Sequence, residues 1–244
     1  MLSKTKITFI RSLGDRKFRY EHRLFVCEGI KLVEELVNSG LEITEIFYTE
    51  QTKIPFTALE NSIQISGKEM ERISSLKTPP GILALAKIPD YTTHLANSGL
   101  ILVLDGISDP GNVGTIIRTG AWFGVQQTGF LPGCADPYNQ KCIQASMGAI
   151  FRMTFCDVSL AMLKDHSLPK TGLVLKGDNI YESDIDSNNI LITGSESHGI
   201  STPVLGICSQ KVTIPGRGDT ESLNAAIATG IALGEITRKA SSID

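Results

Sequence analysis

The sequence predicts an α/β protein in two parts, the second built on a mostly parallel sheet. Two observations lead there. Near-continuous apolar runs such as "LILVLD" and "NILITG" alternate with helical patterns, as in sheets buried on both faces. A polar, turn-rich stretch, "PDYTTHLANSG", interrupts that alternation and reads as a linker. The expected division is a first part over 1–90, a linker over 91–99 and a second part over 100–244.

In the first part, "LFVCEGIKLVEELVNSG" gives a strand and then an amphipathic helix. Ile30, Leu32, Val33, Leu36 and Val37 form its apolar face, and Asn38-Ser39-Gly40 stops it. "ITEIFYT", "SIQIS" and "GILALAKI" read as strands, with a charged helix "GKEMERISSL" among them. The second part opens on "LILVLD" and a helix through "NVGTIIRTGAWFG". A short segment at "GF", a loop "LPGCADPYN" and a helix "QKCIQASMG" follow. Then come "IFRMTF", a helix near "SLAMLKDH", the strands "GLVLKG", "NILITG" and "KVTIPG", and a last helix, "SLNAAIATGIALGEITRK". Ligands of such sheets sit beyond the carboxyl ends of the strands.

The 244 residues are 41% hydrophobic and 20% charged, enough for a real core, and a formal net charge of -3 gives no global sign of a nucleic-acid binder. The charge is uneven, however. "MLSKTKITFIRSLGDRKFRYEHRLF" carries Lys4, Lys6, Arg11, Arg16, Lys17, Arg19 and Arg23 against Asp15 and Glu21. A charge run is most often a solvated helix face. Phe18 and Tyr20 among the cations equally suit phosphate contact with base stacking. Arg11, Arg16, Arg19 and Arg23 are therefore candidate nucleic-acid contacts, which the family resemblance given below narrows to RNA. The five cysteines form no C-x-x-C pair and no metal-ligand spacing, so no metal is expected. Without a signal peptide or a run of about 20 apolar residues, a soluble cytoplasmic protein is expected.

Three strand ends carry unusual loops: "DGISDPGNVGTIIRTG", "LITGSESHGIS" and "VTIPGRGDTESLN". Each has an ordinary explanation. Asn112 and Ser222 suit helix N-caps, Gly194 and Gly199 suit positive-φ turns, and Glu196 suits a first-turn carboxylate. Arg118 alone suits a surface ion pair. "GSESHG" has its serine at the wrong offset for a nucleophile elbow, and "GRGDTES" lacks the third glycine of a dinucleotide fingerprint. All three loops should nonetheless meet at one edge of one sheet.

Together they resemble the three signature motifs of the SpoU (TrmH-like) branch of the SPOUT methyltransferases. The first is Asn112, Gly114 and Arg118; the second is Gly194, Glu196 and Gly199; the third is Ile214-Pro215 followed by Ser222-Leu223-Asn224. "QASMGAIFRMTF" is similar to the connector of that family. Gly120 departs from a usual alanine and Gly216 from a common methionine. "RKFRYEHRLFVCEGIKLVEEL", "ITEIFYT" and "TPPGILALA" resemble its small L30e-like substrate-binding domain.

The resemblance implies methyl transfer from S-adenosylmethionine to a ribose 2′-hydroxyl of ribosomal or transfer RNA, ribosomal RNA being favoured. It also implies a homodimer and a deep trefoil knot in the second part. Cofactor contacts would lie at Thr193, Gly194, Glu196, Gly199, Ile214, Ser222, Leu223 and Asn224. Glu196, Ser222 and Asn224 would orient the site, Asn112 would support the arginine, and Arg118 would act on the 2′-hydroxyl or its neighbouring phosphate. A guanidinium with pKa above ~12 is a poor base. The competing readings are a non-catalytic RNA-binding or ribosome-assembly protein and an α/β enzyme acting on a small nucleotide.

Overall fold

The computed structural model describes residues 1–52 and 61–240. By internal contact the chain forms two units. One comprises 1–90 with 136–152; the other comprises 91–135 with 153–244.

In the first unit the basic segment folds into two helices, α1 (Lys4–Ser12) and α2 (Arg16–His22), capped by Ser3 and Asp15. The strand β1 (Leu24–Glu28) and helix α3 (Ile30–Asn38) follow, as the periodicity predicts. Leu32, Val33 and Leu36 turn inward while Ile30 stays 37% exposed. The strands β2 (Ile43–Thr49), β3 (Ser62–Ile65) and β4 (Ile82–Lys87) complete a sheet of order β1-β4-β2-β3, in which only β2 and β3 are parallel. Ile7, Ile10 and Leu13 pack with Phe47, Leu83, Leu85 and the α4 (Gly67–Ile73) residues Met70 and Ile73.

The segment 136–152 also packs in this unit, although the chain order places it with the second part. It contains the helix Gln140–Ser146 (α6 in chain order) and a 3-10 turn, Ala149–Phe151. Phe25 meets Tyr138 and Phe151 at ring-centroid distances of 5.1 and 5.9 Å. Glu35 pairs with Arg152 at 2.7 Å.

The second unit is a six-stranded, all-parallel sheet of order β10-β8-β9-β5-β6-β7. Its strands are β5 (Leu100–Asp105), β6 (Gln127–Phe130), β7 (Thr154–Asp157), β8 (Lys170–Asn179), β9 (Asn189–Gly194) and β10 (Gln210–Thr213). The apolar runs are central for the predicted reason: Ile101 to Leu104 and Ile190 to Ile192 are fully buried. Helices α5 (Pro110–Trp122) and α9 (Ala225–Ala240) pack together, with short α7 (Leu160–Asp165) and α8 (Thr202–Leu205) elsewhere on the sheet.

The expected linker is itself packed on this unit. Thr92 bridges to Cys156, and Leu95 is 3% exposed. Buried Gln127 is satisfied by the same stretch: it accepts from the Ala96 N–H and donates to Thr92 Oγ1 and the His94 carbonyl. Among the described residues no helix is long and apolar enough to cross a membrane.

From β5 the chain runs outward through β6 and β7, then returns across the sheet to β8 and β9. The order therefore reverses between β5 and β9, where Asp105 stands opposite Gly194. That switch point is where a parallel sheet leaves a crevice for a ligand.

Candidate active site

Two of the three predicted loops leave the sheet at this switch point, and side chains from all three meet. α5 is capped by Asp109, whose carboxylate accepts from the Asn112 N–H at 2.9 Å. Pro110 at the first helical turn has no N–H to leave unsatisfied. Asn112 is thus not the cap that its residue type suggested, and its side-chain amide is free for other work. It donates through Nδ2 to Glu196 Oε1. Asn224 donates through Nδ2 to Asn112 Oδ1 at 3.0 Å and to Glu196 Oε1 at 3.5 Å. Ser222 is not a cap either. Asn224 caps α9, with Oδ1 accepting from the Ala226 and Ile227 N–H groups at 2.9 and 3.3 Å.

The Gly-x-Glu-x-x-Gly spacing has a steric cause. Ser195 bridges to Gly199, whose N–H donates to the Ser195 carbonyl at 2.8 Å. A Cβ on Gly194 would lie 2.1 Å from the Gly199 carbonyl carbon, so only glycine lets the turn fold back on its own strand. Gly199 has φ +66°, the left-handed region that glycine adopts readily. The turn projects Glu196 outward, exposed within the turn itself rather than in a first helical turn.

Thr193 is 2% exposed and its hydroxyl is hydrogen-bonded to that of Thr229 on α9 at 3.1 Å, which ties β9 to the helix. Ile214 is half-buried, Leu223 is 44% exposed, and the chain from Ile214 to Asn224 has neither helix nor strand. Ser222 is exposed and, among the described residues, its hydroxyl joins no hydrogen bond. Arg118 is exposed on α5, and among the described residues its guanidinium has neither a hydrogen bond nor an ion pair. The surface ion pair that residue type favoured is not formed among the described residues.

Two contributors went unnoticed in the sequence. Asp109 was legible, since Asp before Pro is a helix start signal. Asp105, 8% exposed, accepts from the Ser201 N–H at 2.7 Å and fastens the far end of the glycine turn to β5. Nothing in its spacing announced that.

The candidate RNA contacts divide. Arg11 and Arg16 are exposed, and Arg16 lies over the Tyr20 ring at 5.4 Å. Arg23 holds Asp90 and the Ile88 carbonyl. Arg19 is a correction. It is 3% exposed, with Nε and Nη2 on Asp136 at 2.8 and 2.5 Å and Nη1 on the Leu13 and Gly14 carbonyls. Buried in this way, the guanidinium is not presented to a phosphate, because the packed segment 136–152 supplies the anion from within.

A family model for the SpoU rRNA Methylase family matches residues 99–234. The chain belongs to that family. A second model, for an MRM3-like substrate binding domain, matches residues 4–84. The chain is 30% identical over 234 residues to the 23S rRNA (guanosine(2553)-2′-O)-methyltransferase RlmP of Bacillus subtilis, covering 93% of each chain. It is 26% identical to the 23S rRNA (adenosine(1067)-2′-O)-methyltransferase of Streptomyces laurentii, covering 89% of this chain and 87% of that one. Among solved structures it resembles a TrmH-family protein from Porphyromonas gingivalis, with TM-score 0.89, 35% identity and coverage of 98% and 99%. An AdoMet-bound rRNA methyltransferase from Sinorhizobium meliloti is similar at TM-score 0.85 and 25% identity, covering 98% and 97%.

Proposed function

We infer that this chain transfers a methyl group from S-adenosylmethionine to a ribose 2′-hydroxyl of ribosomal RNA. The observation that carries the reading is the Asn112–Glu196–Asn224 junction at the switch point, with Arg118, unpartnered among the described residues, on the same helix as Asn112. A carboxylate held by two side-chain amides, and by no cation among the described residues, is a built site rather than a surface ion pair.

The residues fit the cofactor. Gly194 and Gly199 bring backbone polar groups to the surface with no side chain over them. The irregular chain from Ile214 to Leu223 adds further backbone donors and acceptors, with apolar Ile214 and Leu223 at its ends. Such a lining suits an adenosine and a short aliphatic chain. Thr193 would contribute through its backbone, since its hydroxyl is held inside. When bound, S-adenosylmethionine supplies an already activated methyl group. Glu196, Asn112 and Asn224 then keep the three loops in register, so alignment needs no reorganisation. Arg118 holds the ribose-phosphate backbone and stabilises negative charge developing on the 2′-oxygen. It does so as a donor, because a guanidinium does not give up its proton near neutrality. Ser222 is a further donor for the bound ligands.

The same reading includes a homodimer acting in the cytoplasm, with the C-terminal chain threaded as a trefoil knot. Support for the dimer comes from apolar surface on the packed helix pair: Trp122 on α5 is 85% exposed and Ile227 on α9 is 57% exposed. The direct test uses labelled S-adenosylmethionine with unmodified ribosomal and transfer RNA as separate substrates, and the product digested to nucleosides. A ribose-methylated nucleoside from ribosomal RNA is expected. Label on a base, or no cofactor binding at all, would sink the proposal.

A further inference from the structure

A ribose hydroxyl must lose its proton as it is methylated, and Arg118, a donor, does not take it. Few titratable side chains lie on the three loops that meet at the junction. Asp105, Asp109 and Arg118 lie on the first, Glu196 and His198 on the second, and Arg217, Asp219 and Glu221 on the third. Asp105 holds the Ser201 N–H, and Asp109 caps α5. Arginines stay protonated, and carboxylates, with an ordinary pKa of about 4, are weak bases toward an alcohol. A general base works best when its pKa lies near the working pH. Among these side-chain types that is true of histidine alone.

His198 is also placed for the task. It stands in the turn between Gly194 and Gly199, two residues from Glu196, and two residues span at most about 7 Å. Glu196 is bonded to Asn112 and Asn224, so His198 lies beside the junction. The turn beneath it is fixed. The Ser195 hydroxyl accepts from the His198 N–H at 3.2 Å, and the Ser195 carbonyl accepts from the Gly199 N–H at 2.8 Å. The ring takes no part in this. His198 is exposed, and among the described residues its imidazole joins no hydrogen bond, ion pair or ring contact. Local structure uses its backbone and leaves its ring available. We propose that His198 is the base that receives the 2′-hydroxyl proton, an assignment that rests on the methyl-transfer reading. The 2′-oxygen bonds to the methyl carbon with its own electron pair. The carbon–sulfur bond breaks with its pair staying on sulfur, which loses its positive charge. The proton passes to the His198 ring and from there to water, which returns the imidazole to its neutral form.

The experiment follows transfer to ribosomal RNA by the full-length wild type, His198→Gln, His198→Ala and Ser197→Ala across pH with both substrates saturating. His198→Gln should lower kcat by about 10²-fold or more and remove the acid limb of the wild-type kcat profile. Its Kd values for S-adenosylmethionine and for RNA should stay within about twofold. Free imidazole should revive His198→Ala in proportion to its concentration, which a structural role would not produce. Ser197→Ala, at the neighbouring exposed position, should match the wild type. A second readout needs no turnover. Without cofactor, the His198 ring resonances should shift on adding a short RNA that spans the methylated nucleotide, and should not shift when that nucleotide carries deoxyribose. An unchanged kcat in His198→Gln overturns the assignment, as does an acid limb that persists there. So do His198→Ala that imidazole fails to revive and equal ring shifts with ribose and deoxyribose. Absence of transfer by the wild type sinks the methyl-transfer reading and this assignment with it, whereas transfer undiminished in His198→Gln sinks this assignment alone.

Discussion

Arg19 on α2 and Arg118 on α5 are both arginines on a helix with an aromatic residue nearby in the sequence. The fold treats them oppositely. Arg19 is surrounded, its guanidinium engaging one carboxylate and two carbonyls. Arg118 stands in solvent with no partner among the described residues. A cation whose donors are all satisfied internally holds a fold together, whereas an unsatisfied one beside a built polar junction is available to a ligand. Residue type does not separate the two cases; partner geometry does.

Arg19→Met should have the largest effect on stability. Removing one member of a buried pair leaves Asp136 uncompensated and should cost about 3–5 kcal/mol of stability. Chemical denaturation reads the loss, while RNA affinity of the remaining folded protein should stay within about twofold. Weaker RNA binding at unchanged stability would return Arg19 to the RNA-contacting set.

Arg118→Ala is the mirror image. Loss of a donor that serves the transition state should lower kcat by about 10²–10³-fold. The thermal midpoint and the affinity for S-adenosylmethionine should hold, since the Arg118 guanidinium joins no hydrogen bond or ion pair among the described residues. A parallel fall in cofactor affinity would make the residue structural and erase the contrast.

Much of this was legible in the residues. Period and β-branched content placed the buried strands, and the rule for parallel sheets pointed to the edge where the loops would meet. The caps were misplaced because several residues near each helix start suit the role. Asp109 and Asn224 take it, which leaves Asn112 for Glu196 and Ser222 outside the hydrogen-bonded junction. The internal partner of Arg19 was not legible at all. Asp136 lies 117 positions away, on a segment that the chain order assigned to the other part. Local pattern reads periodicity and turn chemistry, and it does not see which distant anion a cation will find.

Two carboxylates repeat the contrast at smaller scale. Among the described residues Glu196 accepts from side-chain amides of the junction, whereas Glu69 serves its own backbone. Glu69 closes a capping box on Ser66 and also takes the Leu2 N–H at 2.5 Å. Those donors, first the Ser66 N–H, then the Leu2 N–H and the Ser66 hydroxyl, hold its pKa at about 2. The unfolded value is about 4.3, so the folded state favours the charged form. The contribution is complete above the unfolded value and disappears as pH falls from there toward 2. Glu69→Gln should therefore lower the thermal midpoint slightly at neutral pH, by less than either arginine variant changes its own readout. The two curves should merge near pH 2. A difference between them that stayed constant down to pH 2 would mean that hydrogen bonds alone, without the charge, secure the N-terminus to α4.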